Sequence, residues 1–375
     1  MAAKRIGYVD QLRGLATVFM IETHVLNALL SQTLRGTRLF GAIDFVNGLV
    51  APSFLFVAGF SFTLAVNRKG DAYRRFSPEL WKHLKRLLFI LATGYVLHIP
   101  YFSLAKTVHG STAEDITAFF AVDILQCIAF TLILMHLLRI AVKNDRTFNL
   151  VLWGIFWFFI FAAPLSGYFD AGSVFPQFLG QYFNRVHGSL FPLFPWSSFL
   201  IAGAISSQKV TFEKESNFAD NLLRIGTGLV VVGYILFQLQ KSFFAQTNVW
   251  NYAPGWFLLR LGFLIWILQA IIWYEGKRKF GWSSVKILGR ESFLVYVAHI
   301  LLVYGSSAKN PSLVHFIGSQ FNYLQCFLVF VGLTVVMFVL AYLWSELKSW
   351  NYQLSRLVQY AVVTGFFYLF IKNPY

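Results

Sequence analysis

A chain of 375 residues that is 57% hydrophobic and 13% charged, with a mean hydropathy of +0.60, is not an ordinary soluble domain. Its net charge of +15 would suggest nucleic acid in a soluble protein, but in a lipid-embedded chain the excess is better explained by loop charges that set orientation. No nucleic-acid partner is expected, and Cys127 and Cys326, both in apolar segments, offer neither a disulfide framework nor a metal spacing.

Eleven apolar segments follow in order, near 12–31, 42–66, 84–105, 117–141, 148–168, 190–208, 222–240, 255–274, 286–306, 322–344 and 353–372. The first has no small-residue cleavage site and reads as a retained helix. No long polar region remains, so residues 1–375 read as one integral membrane domain. The fold class expected is all-α, a polytopic transmembrane bundle of about 11 spans. If the N-terminus is cytoplasmic, only Arg35, Arg38, Lys106, Arg185, Lys241, Arg260, Lys309 and Lys372 of the 31 basic residues fall on the other side. That asymmetry is what the positive-inside rule demands.

The first segment is the unusual one. It carries Asp10, Arg13, Glu22 and His24. Arg13 and His24 are three helical turns apart to within about 20°, so they share a face, with a rise of roughly 16 Å between them. Arg13 then sits near an interface and His24 near mid-bilayer. Ionisable groups at such depth are costly and suggest function. Glu22 points the opposite way and needs a covering helix. The ninth segment has a similar layout. Arg290 and Glu291 lie near the cytoplasmic side, Ser292, Tyr296 and His299 share a face, and His299 is about 13 Å above Arg290. Asp44 with Asn47, and Asp123 with Gln126, are carboxylate–amide pairs one turn apart. They suit sugar hydroxyls, and equally suit helix capping or interhelical hydrogen bonds. Pro192 and Pro195 break or kink the start of the sixth helix beside Trp196, a sugar-stacking surface or an interfacial anchor. The stretch from Arg68 to Arg86 is densely basic, as a cytoplasmic loop or as a partner for phosphates.

The stretch DQLRGLATVFMIETH resembles the membrane-bound acyltransferases: the acyltransferase-3 family and the heparan-α-glucosaminide N-acetyltransferase-like proteins. Arg13 and His24 match the first group's Arg, ten residues, His pattern. FVNGLVAPSFLFVAGFSF (45–62), DILQCIA (123–129), FPLFPW (191–196) and LGRESFLVYVAHI (288–300) resemble later family segments in the right order. Two positions depart. Cys127 stands where the glucosaminide branch has Arg, and no histidine occurs between Val25 and Lys82, where that branch keeps its catalytic one. That leaves His24 as the candidate base, as the resemblance to acyltransferase-3 implies.

The resemblance implies acyl transfer, usually acetyl from acetyl-CoA, to a sugar hydroxyl or amine. His24 would accept the acceptor's proton, unless it is a structural histidine bonded to a neighbouring helix. His299 would contact the acceptor or the thioester carbonyl, unless it belongs to a polar packing seam. Arg13, oriented by Asp10, together with Arg86 and Arg290, would hold the donor. Asp44, Asn47, Asp123, Gln126, Trp196, Ser292 and Tyr296 would contact the acceptor. The expected partners are the lipid bilayer, a carbohydrate or glycolipid acceptor and a second copy as a homodimer. The expected location is a bacterial inner (cytoplasmic) membrane. No metal motif is seen. The rival reading is a proton-coupled transporter using Glu22, His24 and His299.

Overall fold

The computed structural model describes residues 6–210, 215–243, 252–277, 283–305 and 312–373. Lys4, Arg5, Lys214, Arg278, Lys279 and Lys309, and the side chains of Lys209 and Lys241, lie outside the described residues. The described residues are all helical apart from turns, loops and an isolated parallel bridge between Leu30 and Phe321. The helices are α1 (Gly7–Leu29), α2 (Arg38–Asn47), α3 (Val50–Lys69), α4 (Pro78–Leu97), α5 (Leu104–Gly110), α6 (Ala113–Phe120), α7 (Ile124–Ala141), α8 (Asp145–Ser166), α9 (Gln177–Gly180), α10 (Leu193–Val210), α11 (Glu215–Phe243), α12 (Pro254–Lys277), α13 (Ser283–Arg290), α14 (Ser292–Tyr304), α15 (Leu313–Ile317), α16 (Tyr323–Trp350) and α17 (Tyr352–Lys372).

Each of the eleven apolar segments falls on one or two of these helices. Among the described residues, seven stretches are long and apolar enough to cross a membrane, or eight if α13 and α14 together make one span. The first helix is not among the seven, because the polar residues that single it out also lower its hydropathy. Large apolar side chains point outward from α8 (Phe158, Phe161), α11 (Val231, Ile235), α16 (Leu328, Val335) and α17 (Tyr360, Val362). A helix apolar all round, with little of it covered by protein, needs hydrocarbon beside it.

Local sequence decides where helices start and break. Thr37 caps α2, Asn144 caps α8 and Asn351 caps α17, each side chain accepting a backbone N–H. Asp123 with Gln126, and Asn322 with Gln325, form reciprocal capping boxes at α7 and α16. The expected segment 117–141 is therefore broken at Asp123. At the start of α10, Phe194 has non-helical angles between Pro192 and Pro195, as the prolines predict. The ninth segment differs from expectation. It is not straight but bends by 83° between α13 and α14. Glu291 occupies the elbow, buried, and Lys348 of α16 holds its carboxylate at 2.5 and 2.6 Å. That ion pair lies at the bend, which apolar periodicity does not reveal.

The chain forms two compact units. One comprises Met1–Val50, Leu97–Phe119 and Arg278–Tyr375. Its centre is α1, packed against α13, α14 and α16. The α1–α13 crossing is backbone on backbone. A Cβ on Gly14 would lie 2.0 Å from the Val285 carbonyl oxygen, and one on Gly289 would lie 2.0 Å from that of Asp10. Small residues permit such approach between membrane helices. The far end of α1 is tied down at the bridge, where the Ser31 N–H donates to the Phe321 carbonyl and the Phe321 N–H donates to that of Leu29.

The other unit comprises Ala51–Val96 and Phe120–Lys277. Here α3 meets α10 through Gly59 and Gly203, where added Cβ atoms would lie 1.7 Å from the Leu200 oxygen and 1.9 Å from the Phe56 oxygen. Hydroxyls supply the polar contacts of this core. Thr63 donates to the Ala204 carbonyl, Ser198 to that of Phe156, and Thr131 bonds Ser197. The long loop before α10 is pinned by buried amides. Gln181 donates to the His187 carbonyl and accepts from Ser189, and Asn184 donates to the Ser166 and Phe169 carbonyls.

Candidate functional site

The first unit collects most of the residues singled out by sequence. His24 of α1 and His299 of α14 have ring centroids 5.1 Å apart, inclined by 51°. His299 is fully buried and its Nδ1 lies 2.8 Å from the Val295 carbonyl oxygen. That carbonyl only accepts, so Nδ1 carries the proton and Nε2 carries the lone pair. Among the described residues Nε2 has no hydrogen-bond partner. The ring of Tyr296 stands edge-on to His299 at 5.7 Å.

Tyr304, the last residue of α14, fixes His24. Its hydroxyl donates to the His24 carbonyl at 3.3 Å and lies 3.4 Å from His24 Nδ1. When Nδ1–H donates to the phenol oxygen, the lone pair of His24 lies on Nε2, the same tautomer that the Val295 carbonyl imposes on His299. Sequence reasoning missed Tyr304, because it lies five residues past His299, off the Ser292–Tyr296–His299 face.

The start of α1 carries the ionic part. Asp10 is buried, 3.6 Å from Arg13 Nη1 and 3.6 Å from Arg290 Nε. The first contact follows from i,i+3 spacing, and the second from the Gly14–Gly289 crossing that brings the end of α13 to the start of α1. Two guanidiniums on one carboxylate form a rigid cationic cluster, since a buried carboxylate needs partners. Arg86 belongs to the second unit, exposed on α4.

The remaining candidates are placed otherwise. Asn47 hydrogen-bonds Glu22, which gives Glu22 the partner that sequence could not name. Asp44 is exposed on α2. Asp123 and Gln126 are spent on capping α7, and the Gln126 side chain packs against Gly94. Trp196 is buried against Phe191, with the Arg260 guanidinium 6.0 Å from its ring. The space beside it is about 10 Å³, room for one water and not for a sugar.

Residues 5–239 match the sequence model described as heparan-alpha-glucosaminide N-acetyltransferase, catalytic. The chain belongs to this family. It is therefore a member of a membrane acetyltransferase family, and its apolar helices make it an integral membrane protein. No curated protein matches it. Arg290, Ser292, Tyr296, His299 and Tyr304 lie beyond the matched residues, so their part in the site is read from geometry alone.

Proposed function

We propose that this chain moves an acetyl group from cytoplasmic acetyl-CoA to a sugar hydroxyl or amine on a glycan or glycolipid, through eleven spans with the N-terminus in the cytoplasm of a bacterial inner membrane. The observation that carries the reading is the His24–His299 pair. Two imidazoles stand 5.1 Å apart, and His299, its Nδ1–H on the Val295 carbonyl, keeps a basic Nε2. An acyl acceptor brings the O–H or N–H group whose proton a basic imidazole nitrogen takes.

His24 Nε2 takes the acceptor's proton as the acceptor oxygen or nitrogen bonds to the thioester carbonyl carbon. The carbon–sulfur bond then breaks, and the same proton leaves with the thiolate. Acceptor and thioester thereby become acetylated acceptor and free thiol, with no net proton change. Tyr304 holds the His24 tautomer and compensates the charge on its ring through the Nδ1 contact. His299, Ser292 and Tyr296 line the acceptor's side. Arg13 and Arg290, joined through Asp10, meet phosphates of the donor. The family match, and not Glu22, weighs against a proton-coupled transporter, since Glu22 beside Asn47 keeps one buried oxygen without a hydrogen-bond partner among the described residues.

The test is transfer from radiolabelled acetyl-CoA to glucosamine and to hydroxyl sugars by purified protein. We expect acetylated product with wild type and none with His24→Ala, at equal yield of folded protein. Full activity of His24→Ala would sink the mechanism. Proton-coupled flux in liposomes without any binding of CoA would replace it with transport.

A further inference from the structure

In the second unit, a cavity of about 320 Å³ opens among the ends of α3, α7 and α8 and the turn after α3. Arg74, Arg139, Asp145, Phe148, Asn67 and Gln208 are among its lining residues. Arg139 is the notable member, because it is 1% exposed, among the most completely buried large side chains of the protein. Its guanidinium stacks on Phe148 at 4.8 Å and reaches Asp145 and the Val142 carbonyl. Arg74 reaches both oxygens of the same Asp145, at 2.8 and 2.9 Å. In each arginine the Nε–H has no hydrogen-bond partner among the described residues.

Both carboxylates that face these arginines lie in solvent: Asp145 is 73% exposed, and Asp71, 4.0 Å from Arg74, is 86% exposed, so buried Arg139 has no buried counter-charge among the described residues. A buried guanidinium with an unmet donor at a polar cavity calls for a further acceptor. The planar fork suits a tetrahedral oxyanion that takes two N–H groups at once. The volume is at the small end of ligand pockets, which run about 300–1,000 Å³, so it holds a phosphate and a short attachment and not a whole dinucleotide.

We propose that this cavity is a binding site for a phosphate group, with Arg139 and Arg74 as its ligands and Asp145 as the resident competitor. The phosphate can be borne by a lipid headgroup, by CoA or by the free ion. The site stands apart from the proton-transfer argument, since none of its residues is used there.

The experiment uses the full chain, purified in mild detergent and stripped of lipid. Inorganic phosphate, CoA and phosphatidic acid in mixed micelles are added in separate arms, read by thermal shift and native mass spectrometry. At least one phosphate-bearing probe is expected to bind saturably, and which one does identifies the source. Arg139→Met should weaken that binding by at least about tenfold. Asp145→Asn, which removes an exposed competing carboxylate, should tighten it by roughly threefold. His24→Ala should leave it unchanged, so a failure of acetyl transfer and a failure of this site are told apart. No binding of any probe, or an affinity indifferent to Asp145→Asn, overturns the proposal, even where Arg139→Met does not fold.

Discussion

The phenol of Tyr304 touches His24 twice, at ring Nδ1 and at the backbone carbonyl, from 280 residues further along the chain. A residue so placed acts through the imidazole and not on substrate. Replacing Tyr304 by Phe removes both contacts, and the one to the ring, worth about 0.5–1.5 kcal/mol, is the one that bears on the base. We expect a roughly 3–10-fold fall in kcat with KM for acetyl-CoA unchanged. Stopped-time assays at saturating donor check it, and an unchanged kcat would remove Tyr304 from the site.

The α1–α13 crossing tolerates no side chain. A Cβ at Gly289 meets the Asp10 carbonyl oxygen at 2.0 Å, and backbone cannot step aside as a flexible side chain would. Gly289→Ala should cost about 1–3 kcal/mol and lower the Tm in detergent. Because the same crossing brings Arg290 to Asp10, the variant should also raise the KM for the donor. Gly41, whose Cβ would meet nothing, is the control and should accept Ala without either effect.

Much of the site is legible in the sequence, and the reasons differ by residue. The Arg13–Asp10 contact and the shared depth of His24 and His299 follow from helical rise and rotation, which are local. The Glu22–Asn47 bond is not local, since nothing in either segment names the other. The 83° elbow is hidden because α13 and α14 read as one apolar run, while the ion pair that lies at it, Lys348 on Glu291, involves a distant helix. Asp123 and Gln126 have the spacing of a sugar-binding pair and of a capping box. The backbone, breaking before Ile124, shows the capping box, and the buried Gln126 Nε2 keeps a donor without a partner among the described residues.

Lys348→Met leaves Glu291 without its cation at a buried elbow. Stranding a buried charge costs about 3–5 kcal/mol, and with Lys348 partly exposed the lower end applies. The double substitution Lys348→Met with Glu291→Gln should recover most of that loss. Thermal unfolding of the three variants measures it, and equal Tm values for the single and double variants would show that the pair does not stabilise the elbow.

His136 of α7 is fully buried among Phe62, Tyr73 and His83, with ring centroids at 4.8, 5.3 and 4.9 Å and neither nitrogen hydrogen-bonded among the described residues. A buried polar group without partners costs about 1–3 kcal/mol. His136→Phe should therefore be neutral or stabilising, against the usual outcome of core substitutions. A large fall in Tm would mean that the ring serves a bound group.

In the loop before α10, His187 bonds Asp170 at 2.7 Å and holds the Asp170 carboxyl below its usual range, with help from the Gly172 N–H. A lowered folded value means that the contact stabilises the loop above the unfolded carboxylate pKa of about 3.9 and is lost as pH falls through the folded value. Protease cleavage within 168–188 should rise in that acid window. Asp170→Asn should cleave at a rate that no longer depends on pH there.

The histidine pair also sets a clock on synthesis. Tyr304 leaves the ribosome 280 positions after His24. At about 5–20 residues per second that is an interval of roughly 14–56 s. Throughout it the first helix, with Arg13, Glu22 and His24, waits without α14 or α16 to cover it. A chain stopped between residues 239 and 292 carries all the residues that match the family model and still has no paired imidazoles. Late truncation and early mutation of α1 should therefore give the same inactive protein by different routes.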